Sequence, residues 1–195
     1  MYDTIIVGAR CAGSPLAMLL ARKGYKVLLV DKASFPSDII STHYIHQPGA
    51  ARLKRWGLLD VVMSSNCPPI REFLFDVGPF ALEGSAPSVD GVREALCPRR
   101  MVLDKILLGA AAASGAEIRE RFYVRDVIRD GDRIAGIRAE TSNGQSIIER
   151  ARVVVGADGQ RSVIARLSGA AEYQVRPAAK LQLLYVFQRR ALFTG

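Results

Sequence analysis

Residues 2–31 read YDTIIVGARCAGSPLAMLLARKGYKVLLVD, and this stretch decides the fold. Residues 2–7 form a β-branched apolar run that is typical of a strand buried on both faces of a parallel sheet. A glycine-containing turn follows at residues 8–13, and residues 14–23 carry leucines on one face, which predicts a helix. Residues 26–30 predict a second buried strand, which ends at Asp31. A strand, turn, helix and strand in this order predict a βαβ unit.

The turn GARCAG at residues 8–13 is the first candidate functional motif. A strand–turn–helix junction directs backbone N–H groups and the positive end of a helix dipole toward a pyrophosphate. Asp31 lies 23 residues after Gly8, which suits an acceptor for the ribose hydroxyls of a dinucleotide. Arg10 stands where the motif GxGxxG has its second glycine, which normally lets the backbone approach the pyrophosphate. Its side chain therefore either points away from the phosphates or flanks them with its guanidinium.

Two further motifs follow later in the chain. Arg100 opens a predicted helix over residues 100–114, where a cation opposes the helix dipole. An anion held there would explain this arginine, and a solvated side chain is the alternative. The run VVVGADG at residues 153–159 sets a second glycine-rich turn after a predicted buried strand over residues 151–155. Asp158 in this turn is a candidate acceptor for hydroxyl groups or for a water molecule on a phosphate.

The remaining sequence predicts a fold of mixed α and β elements. These are a loop over 33–47, a helix over 48–56, a hairpin over 71–83 broken at Gly78-Pro79, strands over 117–120, 123–129 and 134–140, a hairpin turn at Asn143-Gly144, and a helix from Ser162. We therefore expect an α/β fold: a three-layer, Rossmann-like domain with a parallel sheet and with β-hairpin insertions that start a second, substrate-facing sheet. Residues 181–187 have the alternating pattern of one more strand.

The charge and composition limit the class of protein. The formal net charge is +8, with an apolar fraction of 49% and a charged fraction of 24%, which excludes a disordered or low-complexity chain. The basic residues occur in short, scattered groups, so we do not expect nucleic acid as a partner. The surplus charge has two interpretations, solubility or attraction of an anionic cofactor. No apolar run approaches the ~20 residues that span a bilayer.

The cysteines and histidines predict neither a disulfide framework nor a metal site. Cys11, Cys67 and Cys97 are widely spaced and form no CxxC pair, and the N-terminus lacks the pattern of a signal peptide. We therefore expect a cytoplasmic protein with free thiols. Cys11 is expected to be a small buried residue of the turn, with a reactive thiol as the alternative. His43 and His46 have no obvious third ligand nearby, so no metal is predicted.

Taken together, the motifs resemble the FAD-dependent monooxygenases of the p-hydroxybenzoate hydroxylase type. The resemblance lies in the glycine turn with Asp31, the helix start Arg100-x-x-Leu103-Asp104 and the turn Gly156-Ala157-Asp158-Gly159. The run STHYIHQPG at residues 41–49, followed by RLKRWGL at residues 52–58, is also similar. The related geranylgeranyl-reductase-like flavoproteins share these features. The resemblance covers roughly residues 2–175 and indicates a flavoprotein without indicating a substrate.

The resemblance implies a set of FAD contacts, to which we add Arg10 and Cys11 of the turn. Gly8, Gly13 and Ser14 would hold the pyrophosphate, Asp31 the adenosine ribose with Lys32 beside the adenine, Arg100 the ribityl–pyrophosphate region, and Val124 or Arg125 would pass the adenine. Asp158 and Gly159 would serve both FAD and a transiently bound NAD(P)H, and Thr42 and His43 would lie near the flavin. No catalytic acid or base is identified.

The resemblance also implies a domain plan and a function. Residues 1–175 would be the FAD-binding domain, with residues 71–97 as a β insertion facing the substrate layer, and residues 176–195 the truncated start of a substrate domain. The expected activity is NAD(P)H-dependent hydroxylation of a small organic substrate. The alternatives are flavin-dependent reduction of an alkene such as a prenyl chain, and a non-catalytic FAD-binding fragment. A plain NAD-binding Rossmann domain is disfavoured by Arg100 and Asp158.

Overall fold

The computed structural model describes residues 1–39 and 44–175. Its strands are β1 (Tyr2–Val7), β2 (Val27–Val30), β3 (Phe73–Asp76), β4 (Ala81–Gly84), β5 (Glu117–Arg119), β6 (Phe122–Asp130), β7 (Arg133–Thr141) and β8 (Ser146–Gly156). Its helices are α1 (Gly13–Arg22), α2 (Gln47–Trp56), α3 (Leu59–Met63), α4 (Arg100–Ala113) and α5 (Val163–Ser168). The first βαβ unit is therefore confirmed, as is the α/β fold class.

The main sheet has six strands in the order β5-β2-β1-β8-β7-β6. Strands β5, β2, β1 and β8 run parallel, and β7 and β6 continue the sheet as an antiparallel meander. Strand β8 belongs to both parts. Its residues 151–156 pair with β1, whereas residues 146–150 pair with β7, across the hairpin that Asn143-Gly144 predicted.

Two apolar cores make three layers from these elements. One core joins Ile6 and Leu29 of the parallel strands to the helices, through residues such as Met18 of α1 and Leu107 of α4. The other core joins the opposite face of the same strands to the meander, where Ile137 is fully buried. The central parallel strands β1 and β2 are therefore buried on both faces, as their unbroken apolar runs predicted.

Some sequence expectations need correction. Strand β8 is not buried along its whole length, because Val153 is 52% exposed. The run of three valines is covered only in part by the helices and the meander. The short helix α3 was not predicted, because five residues between polar segments give too little periodicity. The proposed strand over residues 181–187 lies outside the described residues.

The hairpin predicted over residues 71–83 is present as β3 and β4, with its turn at Gly78-Pro79. The two strands form a separate sheet that pairs with none of the six main strands. Its apolar side chains, Leu74, Phe75, Phe80 and Leu82, are each more than half exposed. A two-stranded ribbon of this kind is marginally stable without a covering layer. Within the described residues, no helix is both long and apolar enough to cross a membrane.

A polar network fastens β5 to β1 and β8. The Tyr2 hydroxyl donates to Glu117 at 2.6 Å, and Arg119 pairs with Glu117 at 2.7 Å and with Glu149 at 2.5 Å. The hydrogen bond from Tyr2, followed by the Arg119 contacts, holds the pKa of Glu117 below its ordinary value. The folded protein therefore favours the ionised carboxylate more than the unfolded chain does.

This network predicts a loss of stability in acid. Because the pKa of Glu117 is lowered on folding, its contribution is complete above the unfolded pKa of about 4.3 and is lost as the pH falls below that value. Urea unfolding between neutral pH and pH ~3 should show a smaller loss in Glu117→Gln than in the wild type. The effect is small because the side chain is partly exposed. The exposed Glu172, changed to Gln, is the control, and an unchanged pH slope in Glu117→Gln would contradict the assignment.

Candidate functional site

Three loops meet at the carboxyl edge of the parallel sheet. They follow β1, β2 and β8, which run parallel and in register, with Val7 beside both Val30 and Gly156. Because parallel strands end at the same edge, the glycine turn, Asp31 and the Asp158 turn converge there. The structure thus brings the three motifs, which lie far apart in the sequence, to one edge of the sheet.

The glycine turn is packed so closely that it accepts no side chain at two positions. Gly8 has φ +104°, and a Cβ there would lie 2.3 Å from the carbonyl oxygen of Ala157. A Cβ on Gly13 would lie 1.8 Å from the carbonyl oxygen of Gly8. The Ala157 N–H also donates to the Val7 carbonyl at 2.7 Å. The turn after β1 and the turn after β8 are therefore in direct contact, through backbone atoms.

Asp31 is nearly buried and supports the same turn. Its carboxylate accepts from the Ala9 N–H at 2.7 Å and from the Ala33 N–H at 2.8 Å. Its backbone carbonyl accepts from the N–H of Phe122, the first residue of β6, at 2.9 Å. Val124 lies two residues further along that strand, at a β-bulge. This backbone hydrogen bond thus joins the segment that carries the predicted ribose acid to the start of the strand that carries the predicted adenine-side residue.

Arg10 points away from the glycine turn and toward α4. Its guanidinium contacts Asp104 at 2.6 Å and the Ser37 hydroxyl at 3.0 Å, and it lies 5.2 Å from the centroid of the Phe35 ring. Arg100 holds the same carboxylate, with Nε 3.1 Å from Oδ1 and Nη2 3.1 Å from Oδ2. Two guanidinium groups around one fully buried carboxylate leave a formal charge of +1 beside the turn.

These contacts show how Arg10 is oriented and what pairs with Arg100 at the start of α4. Arg10 takes the first of the two orientations considered above. Arg100 is not simply solvated, because Asp104, one helical turn further on, supplies an anion from within the chain. Sequence reasoning quoted Asp104 in the motif but assigned it no role. The signal was the i,i+4 spacing of Arg100 and Asp104, which places opposite charges together on a helix.

The prediction that Cys11 is a buried residue of the turn is wrong. The residue is exposed, and its Sγ lies 3.4 Å from Asp104 Oδ1. Desolvation of the sulfur raises the pKa of the Cys11 thiol to about 11, with Asp104 adding to the shift and Arg100 opposing it. The thiol is therefore protonated at neutral pH, and the alternative of an activated thiolate finds no support.

Asp158 supports the start of the short helix α5, whose N-cap is Ser162. Its carboxylate accepts from the Ser162 hydroxyl at 2.6 Å and from the Val163 N–H at 2.6 Å. Gly159, at φ +86°, is exposed with open space around it. Both oxygens of Asp158 thus have partners within the chain, and this carboxylate fixes the shape of the turn after β8.

The other predicted residues divide into three groups. Ser14 is fully buried, and its hydroxyl donates to the Ala9 carbonyl at 2.8 Å, inside the turn. Lys32 is exposed beside Asp31, and Arg125 pairs with Glu140 on the neighbouring strand. Thr42 and His43 lie outside the described residues. Over residues 1–39 and 44–175, no cluster of three metal-binding side chains is present.

The arrangement fits a dinucleotide. Within the described residues, the N–H groups of Cys11, Ala12 and Gly13 have no acceptor, and they stand at the N-terminus of α1 beside the positive cluster. Such donors bind phosphate oxygens, and a carboxylate at the end of the next strand suits a ribose. The fold and the site therefore define a dinucleotide-binding α/β domain.

The comparison with protein families gives the particular family. The chain belongs to the FAD binding domain family, whose model matches residues 1–187. FAD is the cofactor of this family. The homologous proteins are FAD-dependent monooxygenases and reductases, which are oxidoreductases.

The relatives are larger proteins with different reactions. The digeranylgeranylglycerophospholipid reductase 2 of Methanococcoides burtonii is 31% identical over 184 residues, which are 91% of this chain and 42% of that protein. The rifampicin monooxygenase of Rhodococcus hoagii is 32% identical over 171 residues, 86% of this chain and 33% of that protein. The structure of the myxobacterial FAD-dependent chondrochloren halogenase CndH is 28% identical, with a TM-score of 0.73, over 82% of this chain and 38% of that one. The chain thus spans less than half the length of each.

Proposed function

We propose that this chain binds FAD at the carboxyl edge of its sheet and is the cofactor-binding part of an NAD(P)H-dependent flavin monooxygenase. One observation carries the proposal. The glycine turn, the nearly buried Asp31 and a net positive arginine cluster meet at a single edge, in contact through Gly8 and Ala157. This set matches the three chemical parts of the adenosine diphosphate half of FAD: a ribose, a pyrophosphate and their negative charge.

Each residue then has a role toward FAD. The free N–H groups at the start of α1 donate to the pyrophosphate, with Gly8 and Gly13 leaving room for it. Asp31 accepts from the ribose hydroxyls, and Arg100 supplies positive charge near the phosphates. Bound FAD supplies the redox chemistry, and the protein supplies position and charge.

Further residues act less directly or depend on the whole enzyme. Ser14 and Asp158 shape their turns through the hydrogen bonds described above. Lys32 and Val124 flank the adenine from their positions near Asp31. For Thr42 and His43, which lie outside the described residues, we propose a contact with the flavin on the family resemblance alone. Asp158 and Gly159 also contact NAD(P)H, which we propose as the electron donor.

The exposed apolar hairpin β3–β4 faces the substrate layer, and we propose a small organic substrate. We also propose a cytoplasmic location.

Reduction of an alkene is the second candidate reaction. The 31% identity to a reductase of a digeranylgeranyl lipid, over 91% of this chain, favours it as directly as the similarity to rifampicin monooxygenase favours hydroxylation. Both reactions use the same FAD-binding half, because the flavin carries the electrons in each. Consumption of O2 with NAD(P)H in the whole enzyme would indicate hydroxylation, whereas NAD(P)H consumption without O2 would indicate reduction.

The direct test is FAD binding measured together with protection of Cys11. We expect the purified chain to retain a visible flavin absorption band after incubation with FAD and desalting. We also expect FAD to slow the alkylation of Cys11 by a maleimide, quantified by peptide mass mapping, because Cys11 lies within the glycine turn. FMN lacks the adenosine half that Asp31 recognises, so it should neither be retained nor protect the thiol.

The outcomes separate the possibilities. A folded chain that neither retains FAD nor shows protection of Cys11 would contradict the proposed site. Equal retention of FMN and FAD would contradict the role of Asp31 in binding the adenosine ribose. FAD retention without any NAD(P)H oxidation would support the non-catalytic fragment for this chain, with the reaction belonging to longer relatives.

A further inference from the structure

We propose that Asp104 is a positioning residue of the FAD site: it holds the Arg10 side chain off the glycine turn, so that an arginine is tolerated where close approach of the pyrophosphate needs open backbone. The inference rests on the proposed function, since it concerns access of FAD to the turn. It goes beyond that function because it assigns a role to a residue that is buried beneath the site.

Arg10 lies where a free side chain would cover the glycine turn. The residue occupies the middle of a tight turn, in which Gly13 lies against Gly8 and Gly8 lies against Ala157. A long cationic side chain left free at this point would cover the N–H groups that follow it. Its guanidinium is instead drawn to Asp104 at 2.6 Å and bridged to Ser37 at 3.0 Å.

Asp104 is a buried carboxylate. Its side chain is completely buried, and each oxygen has at least two donors from Arg10, Cys11 or Arg100. A buried carboxylate is costly without such partners, so its presence fixes both arginines in place. The Phe35 ring, 5.2 Å from the guanidinium, closes one side of the Arg10 position. The Arg10 side chain therefore has partners on two elements: the segment after β2 and α4.

The net charge beside the turn is positive. Asp104 neutralises one of the two guanidinium groups and leaves a formal +1 beside the turn, which still attracts a pyrophosphate. Stability alone does not explain a buried ion pair at this position, because such a pair contributes little net stability compared with apolar packing. The chain has an arginine at position 10, where the general motif has a glycine. The pairing with Asp104 holds the Arg10 side chain away from the N–H groups of the turn.

A double-mutant cycle tests the inference. Asp104→Asn should weaken FAD affinity by about tenfold or more, measured by quenching of flavin fluorescence, because the released Arg10 covers the turn. In the Arg10→Gly background the same Asp104→Asn change should cost at least about fivefold less, since no side chain remains to be held. Arg10→Gly serves only as the reference background of this cycle: it removes one positive charge and restores the glycine of the general motif, and its own FAD affinity is the baseline for the second Asp104→Asn measurement.

A second pair of variants keeps the test sharp if Asp104→Asn does not fold. Arg10→Met keeps a long side chain that Asp104 does not hold, so it should bind FAD at least about fivefold more weakly than Arg10→Gly. Where Asp104→Asn does fold, the protein without FAD should also show faster alkylation of Cys11, because the carboxylate that helps raise the pKa of this thiol is gone.

Two results would overturn the inference. The first is an equal loss of FAD affinity from Asp104→Asn in the wild-type and Arg10→Gly backgrounds, which a structural role alone would produce. The second is equal FAD affinity of Arg10→Met and Arg10→Gly. Failure of the wild-type chain to bind FAD would instead contradict the proposed function itself, and the inference with it, so the two failures are distinguishable.

Discussion

Replacing Gly13 by valine is expected to abolish FAD retention. Even the first carbon of a side chain at this position would lie 1.8 Å from the carbonyl oxygen of Gly8, so the turn has to open before valine fits. An opened turn no longer aligns the N–H groups of residues 11–13 toward one phosphate. The expected result is a desalted protein without a visible flavin band, at FAD concentrations that saturate the wild type.

The control for this variant is Gly109→Val. Gly109 is exposed on α4, where an added Cβ meets no atom within 4 Å, so valine there tests the cost of the side chain without disturbing the turn. Circular dichroism and urea unfolding show whether each variant folds. A folded Gly13→Val protein that retains FAD with wild-type affinity would place the cofactor elsewhere on the chain.

The second large effect is expected for Asp31→Asn. A hydrogen bond to a charged group is worth about 1.5–3 kcal/mol, and the variant replaces the charged acceptor of two backbone N–H groups and of the proposed ribose contact. FAD affinity should fall by about 10- to 100-fold. The measurement is a titration followed by flavin fluorescence.

A matched control exists at the opposite end of β1. Asp3 also accepts a backbone N–H, from Lys26 at 2.9 Å, so Asp3→Asn removes the same charge and weakens the same kind of hydrogen bond away from the site. We expect this variant to bind FAD as the wild type does. An equal loss of affinity in both variants would show that Asp31 acts through general stability or charge rather than through the ribose.

Local sequence patterns predicted most of the fold because they are set by short-range physics. The βαβ unit followed from two unbroken apolar runs around a helical stretch, and α2 stops at Gly57, whose φ of +77° is a conformation that glycine adopts freely. The hairpin turn at Asn143-Gly144 followed from residues that tolerate positive φ. The convergence of the glycine turn, Asp31 and the Asp158 turn was not predicted, because the pairing of β8 with β1 joins segments about 150 residues apart.

The details that failed depend on contacts between distant residues. Cys11 was expected to be buried because small residues in tight turns usually are, and nothing local shows that this turn stands at the surface. Val153 was expected to be buried, although only the neighbours of β8 determine which of its faces is covered. The partner of Arg10 lies 94 residues away at Asp104, a contact that no periodic pattern encodes.

The division of β8 between two kinds of sheet has a consequence for how this protein can vary. The segment that pairs with the meander continues without a break into the segment that carries Gly156 and Asp158 to the nucleotide edge. An insertion or deletion within the strand would shift its alternation by one position and turn every later side chain to the wrong face. The meander thus sets the register of the third loop of the site, so length changes are tolerable in the hairpin loops at either end of β7 and intolerable between residues 146 and 156.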